Sequence, residues 1–465
     1  MIPTTFGLRH VQVFMMVTAI TVAYILRVNM SVAIVAMTNN KMANENFQDF
    51  DWSEPVKGTI LSAFFWGYMM FQIIMGNLGE KFGTKTLLLG AMTFCSLITI
   101  LTPFLADLGS TAVIVSRVLM GAAQGAFYPC VTVFISKWVP LEEQGNSYTL
   151  AFSGSNVGTL IGLPLSGFLA ASSAGWPSIF YVSGAIGILW SVVFLWVGAS
   201  TPDLHHGISE DEKQKIKESL QNQNQEEKLP TPWREIATSL PLWAVFIAHL
   251  GQNWGFWTLL TEMPNYISSV LKFKIKDNGF LSCLPYLAAS ITAVVFSSMF
   301  NRMVQKNVLP KTTLRKIFNT VAFWGCGLAL FILALMNTTD ATTAVFLLTL
   351  AVALDGAIFS GFITNHVDLS PNFCGTLMGI TNSLANITSI LGPLFVGWIV
   401  ENSESVDQWK KVFFLSAGVM FATNFFYVMF GTSEQQYWNN PNSSREKEHL
   451  LDKEKVVEKT NDLQE

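Results

Sequence analysis

The chain has 465 residues, of which 51% are apolar and 13% charged, with a formal net charge of -4; an average soluble protein carries about 25% charged residues. Of its 60 charged residues, 26 lie within 201–238 and 433–465, which leaves 34 for the other 394 positions. So few charges exclude a soluble fold of this size, and the acidic balance argues against nucleic acid as a partner.

Apolar runs of about 20 residues predict twelve membrane spans. The first six lie near 11–38, 56–77, 86–106, 111–136, 147–171 and 177–199. The second six lie near 240–270, 279–300, 314–336, 342–364, 375–400 and 410–431. The first run holds Arg27 and is too long for a signal-peptide core, so it reads as a retained span. With both termini in the cytosol, 19 Lys and Arg fall on the cytosolic side, seven on the other and two inside spans. That asymmetry predicts cytosolic termini. The chain divides into a six-helix bundle over 1–200, a polar cytosolic linker over 201–238, a second six-helix bundle over 239–432 and a cytosolic tail over 433–465. In the linker, Ser209-Glu210-Asp211-Glu212 is a capping-box start for a short helix reaching Leu220. The outer part of the tail has the composition of a disordered segment. Five cysteines stand singly, without a CxxC pair, and read as packing residues; no metal site or cofactor is expected.

The halves repeat. Trp176-Pro-Ser-Ile-Phe180 opens span 6 as Trp409-Lys-Lys-Val-Phe413 opens span 12, and Gly162-Leu-Pro164 in span 5 matches Gly392-Pro393 in span 11. Pro129, Pro164, Pro264 and Pro393 are expected to kink their spans.

The turn after span 2 reads Gly76-Asn-Leu-Gly-Glu80-Lys81-Phe-Gly83-Thr-Lys85. It resembles the loop signature of the major facilitator transporters, in which Glu80, Lys81 and Lys85 would form a cytosolic gate. Further motifs narrow the resemblance: Arg27-Val-Asn29-Met-Ser31 in span 1, Phe64-Phe65-Trp66-Gly67-Tyr68 in span 2 and Arg117-Val-Leu-Met-Gly121-Ala-Ala-Gln124-Gly125 in span 4. His249-Leu-Gly-Gln252-Asn253-Trp254 in span 7, with Asn365-His366-Val-Asp368 and Gly379-Ile-Thr-Asn382 across spans 10–11, complete it. Together they resemble the anion:cation symporter family of sialin, the vesicular glutamate transporters and the type I sodium–phosphate cotransporters, over about residues 10–432. The resemblance implies an all-α membrane protein of the major facilitator fold, with twelve helices in two bundles.

Arg27 lies 11 residues from the outer end of span 1, roughly 16 Å at 1.5 Å per residue, near the middle of the hydrocarbon core. A charge at that depth has to face a wet cavity or a partner. Arg117 and Gln124, seven apart in span 4, share one face, and Tyr68 is a further candidate lining residue. Two buried arginines without matching acids favour an anion, because the guanidinium fork suits carboxylate or phosphate. His249 reads as a hydrogen-bonded packing residue.

The function expected is secondary active transport of a small anion by alternating access. Sodium-dependent inorganic phosphate cotransport comes first; proton-coupled lysosomal or vesicular transport of an acidic sugar or amino acid is the alternative, and an anion channel the third reading. No nucleophile elbow, HExxH or Walker loop points to an enzyme. The resemblance bears on the coupling ion, since proton-coupled relatives carry a glutamate where this chain has Gln124. Vesicular glutamate members carry an arginine at Gln252. Glu262 and Asp355 are the acids left inside spans that could hold sodium or a proton. Beyond substrate and membrane lipid, Glu446, Leu450 and Leu451 fit an acidic dileucine signal for a sorting adaptor, so the plasma membrane and endolysosomal membranes both stay open.

Overall fold

The computed structural model describes residues 7–205, 207–221, 231–336 and 340–439, apart from the side chains at 42, 73, 76, 77, 79–81, 141, 142, 145, 146 and 221. The first six spans are α1 (Leu8–Thr38), α2 (Glu54–Phe82), α3 (Thr84–Asp107), the pair α4 (Ser110–Gln124) and α5 (Phe127–Trp138), α6 (Leu141–Ala171) and α7 (Pro177–Val197). Two short helices follow, α8 (Glu210–Gln221) and α9 (Trp233–Thr238). The second six are α10 (Leu240–Ser269), α11 (Ile275–Gln305), α12 (Lys311–Leu335), the pair α13 (Ala341–Asp355) and α14 (Phe362–Leu369), α15 (Cys374–Ile399) and α16 (Val406–Phe430). The start of α1, the linker and the end of α16 lie at one end of the molecule, called here the terminal end. The loops near 45, 174, 272 and 403 lie at the other, distal end.

Among the described residues, eight spans are long and apolar enough to be recognised as membrane-crossing by length and composition alone. The other four are α2, α6, α10 and α15, and each has a partner across the bundle boundary. α2 packs on α15, α6 on α11 and α10 on α1. Their Gly, Ser, Thr and Asn residues dilute hydropathy because they serve close helix contact instead of lipid. A Cβ on Gly58 would lie 2.5 Å from the Pro393 carbonyl oxygen, and one on Gly167 would lie 2.7 Å from that of Ile275. All four positions sit toward the distal end, where the bundles are closed on each other. At the terminal end of α15, by contrast, a Cβ on Gly375 or Gly379 would meet nothing within 4 Å.

Span 4 divides at Gly125-Ala126 and span 10 at Gly356–Ser360, a 3-10 turn. Pro129 explains the first break, since its ring removes the N–H that would bond the Gly125 carbonyl. Pro164, Pro264 and Pro393, expected to bend their spans, sit inside continuous helices. Span 10 divides without a proline.

The capping-box helix starts as the sequence indicates: Ser209 Oγ accepts from the Glu212 N–H at 3.3 Å. Glu212 does not close the box, however. Its carboxylate accepts from the Leu8 and Arg9 N–H groups at 2.9 and 3.1 Å and from Arg9 Nη1 at 3.0 Å, so it caps the start of α1. Arg9 Nε also donates to Glu143 at 2.8 Å. α8 is thereby clasped to the first bundle. On the second bundle, the 3-10 turn Tyr437–Asn439 buries Trp438 against Ile236, Leu242, Phe373 and Leu377. Sequence beyond Asn439, including Glu446, Leu450 and Leu451, lies outside the described residues.

Within the first bundle, α2 crosses α4 with their backbones almost touching. A Cβ on Gly67 would sit 1.9 Å from the Val118 carbonyl oxygen, and one on Gly121 would sit 1.8 Å from that of Phe64. Gly121→Ala is therefore expected to lower stability by about 1–3 kcal/mol through overpacking, read as a lower melting temperature of the detergent-purified protein. Gly90→Ala, which meets nothing within 4 Å, is the control and should leave melting unchanged.

The clasp predicts a pH response. The Arg9 hydrogen bond holds Glu143 below the usual carboxyl range. Burial pushes Glu212 up, but the Arg9 and Leu8 N–H groups and the Arg9 guanidinium together hold it below its ordinary value. Depressed folded values mean the stabilisation is present above the unfolded carboxyl value, about 4.3, and is lost as pH falls through the folded values. Hydrogen-exchange protection over 210–221, taken relative to the intrinsic rate at each pH, should fall on acidification through that window. Glu212→Gln should already show fast exchange at neutral pH.

Candidate functional site

The α2–α4 crossing delivers side chains to the middle of α1. Arg27 is 5% exposed. Its Nε and Nη2 donate to Gln124 Oε1 at 3.2 and 3.1 Å, and Gln124 Nε2 donates in turn to the Ala23 carbonyl at 3.1 Å. Four rings surround the guanidinium. The Tyr24, Phe64 and Tyr68 centroids lie 4.6, 4.6 and 4.8 Å from its central carbon, and Trp257 of the second bundle lies at 5.6 Å. Arg117 is 3% exposed, donates Nη2 to the Arg27 carbonyl at 3.3 Å, and its central guanidinium carbon lies 5.1 Å from the Phe64 ring centroid. Its Nε has no hydrogen-bond partner among the described residues.

The structure thus brings together Arg27, Arg117, Tyr68 and Gln124. Both arginines face a narrow cavity whose walls include Ser31, Phe65, Trp257 and Thr261. Among the described residues no carboxylate forms an ion pair with either arginine. Positive charge is therefore held by aromatic faces and an amide oxygen, which leaves it available to an incoming anion. Tyr24 and Trp257 were not singled out by the sequence. Tyr24 had a signal, being three residues before Arg27 on the same helix face; Trp257 comes from the opposite bundle and had none. Tyr24 also shares a hydrogen bond of 3.1 Å with the Tyr128 hydroxyl.

The two span acids lie in separate clusters. Asp355 accepts from Gln252 Nε2 at 3.4 Å, and its other oxygen is unpartnered among the described residues. Glu262 is buried toward the distal end near Glu54, Lys57 and Asn265. Of the residues expected to form a gate, Lys85 does not bridge the bundles: its Nζ donates to the Leu195 carbonyl at 2.8 Å and its N–H to Ser200 Oγ at 3.2 Å. It completes the end of α7 within its own bundle, where a helix terminus offers unpaired carbonyls to a cation. The side chains of Glu80 and Lys81 lie outside the described residues.

His249 packs as the sequence suggests. The Ile363 carbonyl can only accept, so His366 donates Nδ1–H to it at 2.8 Å and must accept at Nε2 from the Thr381 hydroxyl, also at 2.8 Å. The His249 Nδ1–H then donates to Thr381 Oγ1 at 3.2 Å. One threonine hydroxyl meets both rings and ties α10, α14 and α15 together.

The family model for the Major Facilitator Superfamily matches residues 13–387. The chain belongs to that superfamily. It is 38% identical over 452 residues to a Drosophila ananassae protein named "Putative inorganic phosphate cotransporter", covering 92% of this chain and 93% of that one. Human sialin is 34% identical over 438 residues (90% and 88% covered), and human vesicular glutamate transporter 2 is 32% identical over 474 (99% and 81%). These relatives place it in the anion:cation symporter group, with transporters and not enzymes as kin. Among solved structures, a bacterial homologue of the lysosomal transporter Spinster in its inward-facing form covers 91% of this chain and 96% of its own. It has a TM-score of 0.71 at 14% identity. A D-xylose–proton symporter reaches 0.65 at 16% identity, covering 91% and 98%. At such identities these two show the fold alone.

Proposed function

We propose that the protein is a secondary active transporter of a small anion, with inorganic phosphate as substrate and sodium as coupling ion. The observation that carries the anion is the buried Arg27–Arg117 pair, which faces a cavity and has no carboxylate counter-ion among the described residues. Phosphate is favoured by the name of the Drosophila ananassae relative, and the guanidinium fork is compatible with it, since it pairs with phosphate or carboxylate through two parallel hydrogen bonds. Sodium is favoured over the proton by Gln124, an amide that cannot titrate beside Arg27.

The Lys and Arg asymmetry assigns the terminal end to the cytosol. Closure at the distal end with open space at Gly375 and Gly379 then corresponds to an inward-facing state. The bundles over 1–200 and 239–432 rock about the central site, and the linker helix stays clasped to the first.

Arg27→Ala should insert normally and lose anion uptake. A hydrogen bond to a charged group contributes about 1.5–3 kcal/mol, roughly 10–100-fold in transport efficiency. Arg27→Lys should rescue poorly because an ammonium lacks the fork. Uptake of labelled phosphate into proteoliposomes, with the sodium and proton gradients set independently, checks both the residue and the ion. Near-normal uptake by Arg27→Ala removes the assignment. Uptake driven by protons without sodium replaces the coupling ion.

A further inference from the structure

A second cavity lies away from the anion site, between α10, α13 and α16. Thr258, Glu262 and Tyr266 line it from α10, Leu348 from α13, and Trp409 and Ser416 from α16. Glu262 is 4% exposed and Thr258 3%. Glu262 Oε1 and Thr258 Oγ1 have no hydrogen-bond partner among the described residues. Being four residues apart, they stand one turn apart on the same face of α10. Ser416 Oγ accepts from Trp254 Nε1 at 3.2 Å, which leaves a lone pair on that oxygen. Gly392 of α15 packs so closely on α10 that a Cβ there would come within 2.4 Å of Thr258 Oγ1.

A carboxylate oxygen and a hydroxyl left unpaired in an apolar cavity inside the membrane are both costly. One small monovalent cation relieves both, drawing on the carboxylate and the two hydroxyl oxygens. A proton relieves the carboxylate and has no use for the hydroxyls. We infer that Glu262, Thr258 and Ser416 form a binding site for a monovalent cation, sodium ahead of the proton, and that the distal gate reads its occupancy.

The link to the gate is Asn265, one turn beyond Glu262. Its Nδ2 donates across the bundle boundary to Glu54 Oε2 at 3.0 Å, and Lys57 pairs with the other Glu54 oxygen at 2.7 Å. Asn265 also faces Glu262, so two carboxylates, one from each bundle, meet through a single amide. The charged groups facing Glu262 are Glu54 and Lys57 from α2, with Tyr266 the further titratable group on its own helix. Closing the distal end brings the like charges together, and a cation on Glu262 offsets their repulsion. Occupancy therefore favours distal closure, which is what coupling requires.

The inference rests on the cation-coupled reading above, so its test contains no anion. Binding of radioactive sodium to the purified full-length protein at neutral pH is measured first, and melting temperature against pH in sodium-free buffer second. Saturable sodium binding is expected in the parent. Glu262→Gln should abolish it, and the nearly isosteric Thr258→Val should weaken it about tenfold or more, the loss of one good ligand. Should Glu262→Gln fail to fold, Thr258→Val carries the test. A pH-dependent melting shift that vanishes in Glu262→Gln but persists in Thr258→Val supports the site with a proton as occupant. Sodium binding unchanged in both variants, or a parent with neither response, overturns the inference. Phosphate counterflow, measured separately, fails only if the anion reading fails.

Discussion

A guanidinium in the middle of a membrane span has to be stabilised by something, and at Arg27 the partners are four aromatic rings and one amide oxygen. The insertion cost is at least about 2.5–3.5 kcal/mol, and each well-placed cation–π contact returns about 0.5–2 kcal/mol. Those contacts hold the charge without neutralising it. A carboxylate in place of Gln124 would do the opposite, closing a salt bridge and cancelling the field that an anion would feel. The chemistry of the site follows from that difference between holding a charge and neutralising it.

The placement of the rings depends in turn on backbone contact elsewhere. Phe64 and Tyr68 reach Arg27 because α2 and α4 cross at Gly67 and Gly121 with no room for a Cβ. The same crossing sets Arg117 against Phe64 and leaves Gln124 at the end of α4. Asp355 ends α13 as Gln124 ends α4, 231 residues earlier, and a glycine follows each at the break. That spacing matches the repeat between the halves, so the two bundles place an amide and an acid at equivalent broken positions.

Much of this was legible in the sequence. Lone arginines in apolar runs announce themselves, and the seven-residue spacing of Arg117 and Gln124 gives a shared face without any structure. Eight of the spans stand out by hydropathy alone, the other four as weaker apolar runs, and the linker helix follows from one capping box. What pattern reading could not supply was contact across long separations. Trp257 joins the site only because the bundles close, and Glu54 meets Asn265 across 211 residues from the first turn of a span. Glu212 has the spacing of a self-capping residue, and only the docking of α8 shows that it serves α1 instead. Lys85 stands in a signature associated with a gate, and its contact with a carbonyl near the end of α7 is one that signature spacing does not show. Span 10 breaks without proline, and the glycines at 356 and 361 that bracket the break are a weaker signal in an apolar run.

The central claim is that Arg27 remains an uncompensated charge, and replacing its neutral partner tests it most directly. Gln124→Glu keeps size and reach while placing a carboxylate where the amide oxygen now accepts from Arg27. Equilibrium binding of labelled phosphate to the purified protein should then fall sharply at neutral pH and recover on acidification as the new carboxyl is protonated, while the parent changes little over the same range. Binding to Gln124→Glu that equals the parent at every pH would contradict the account.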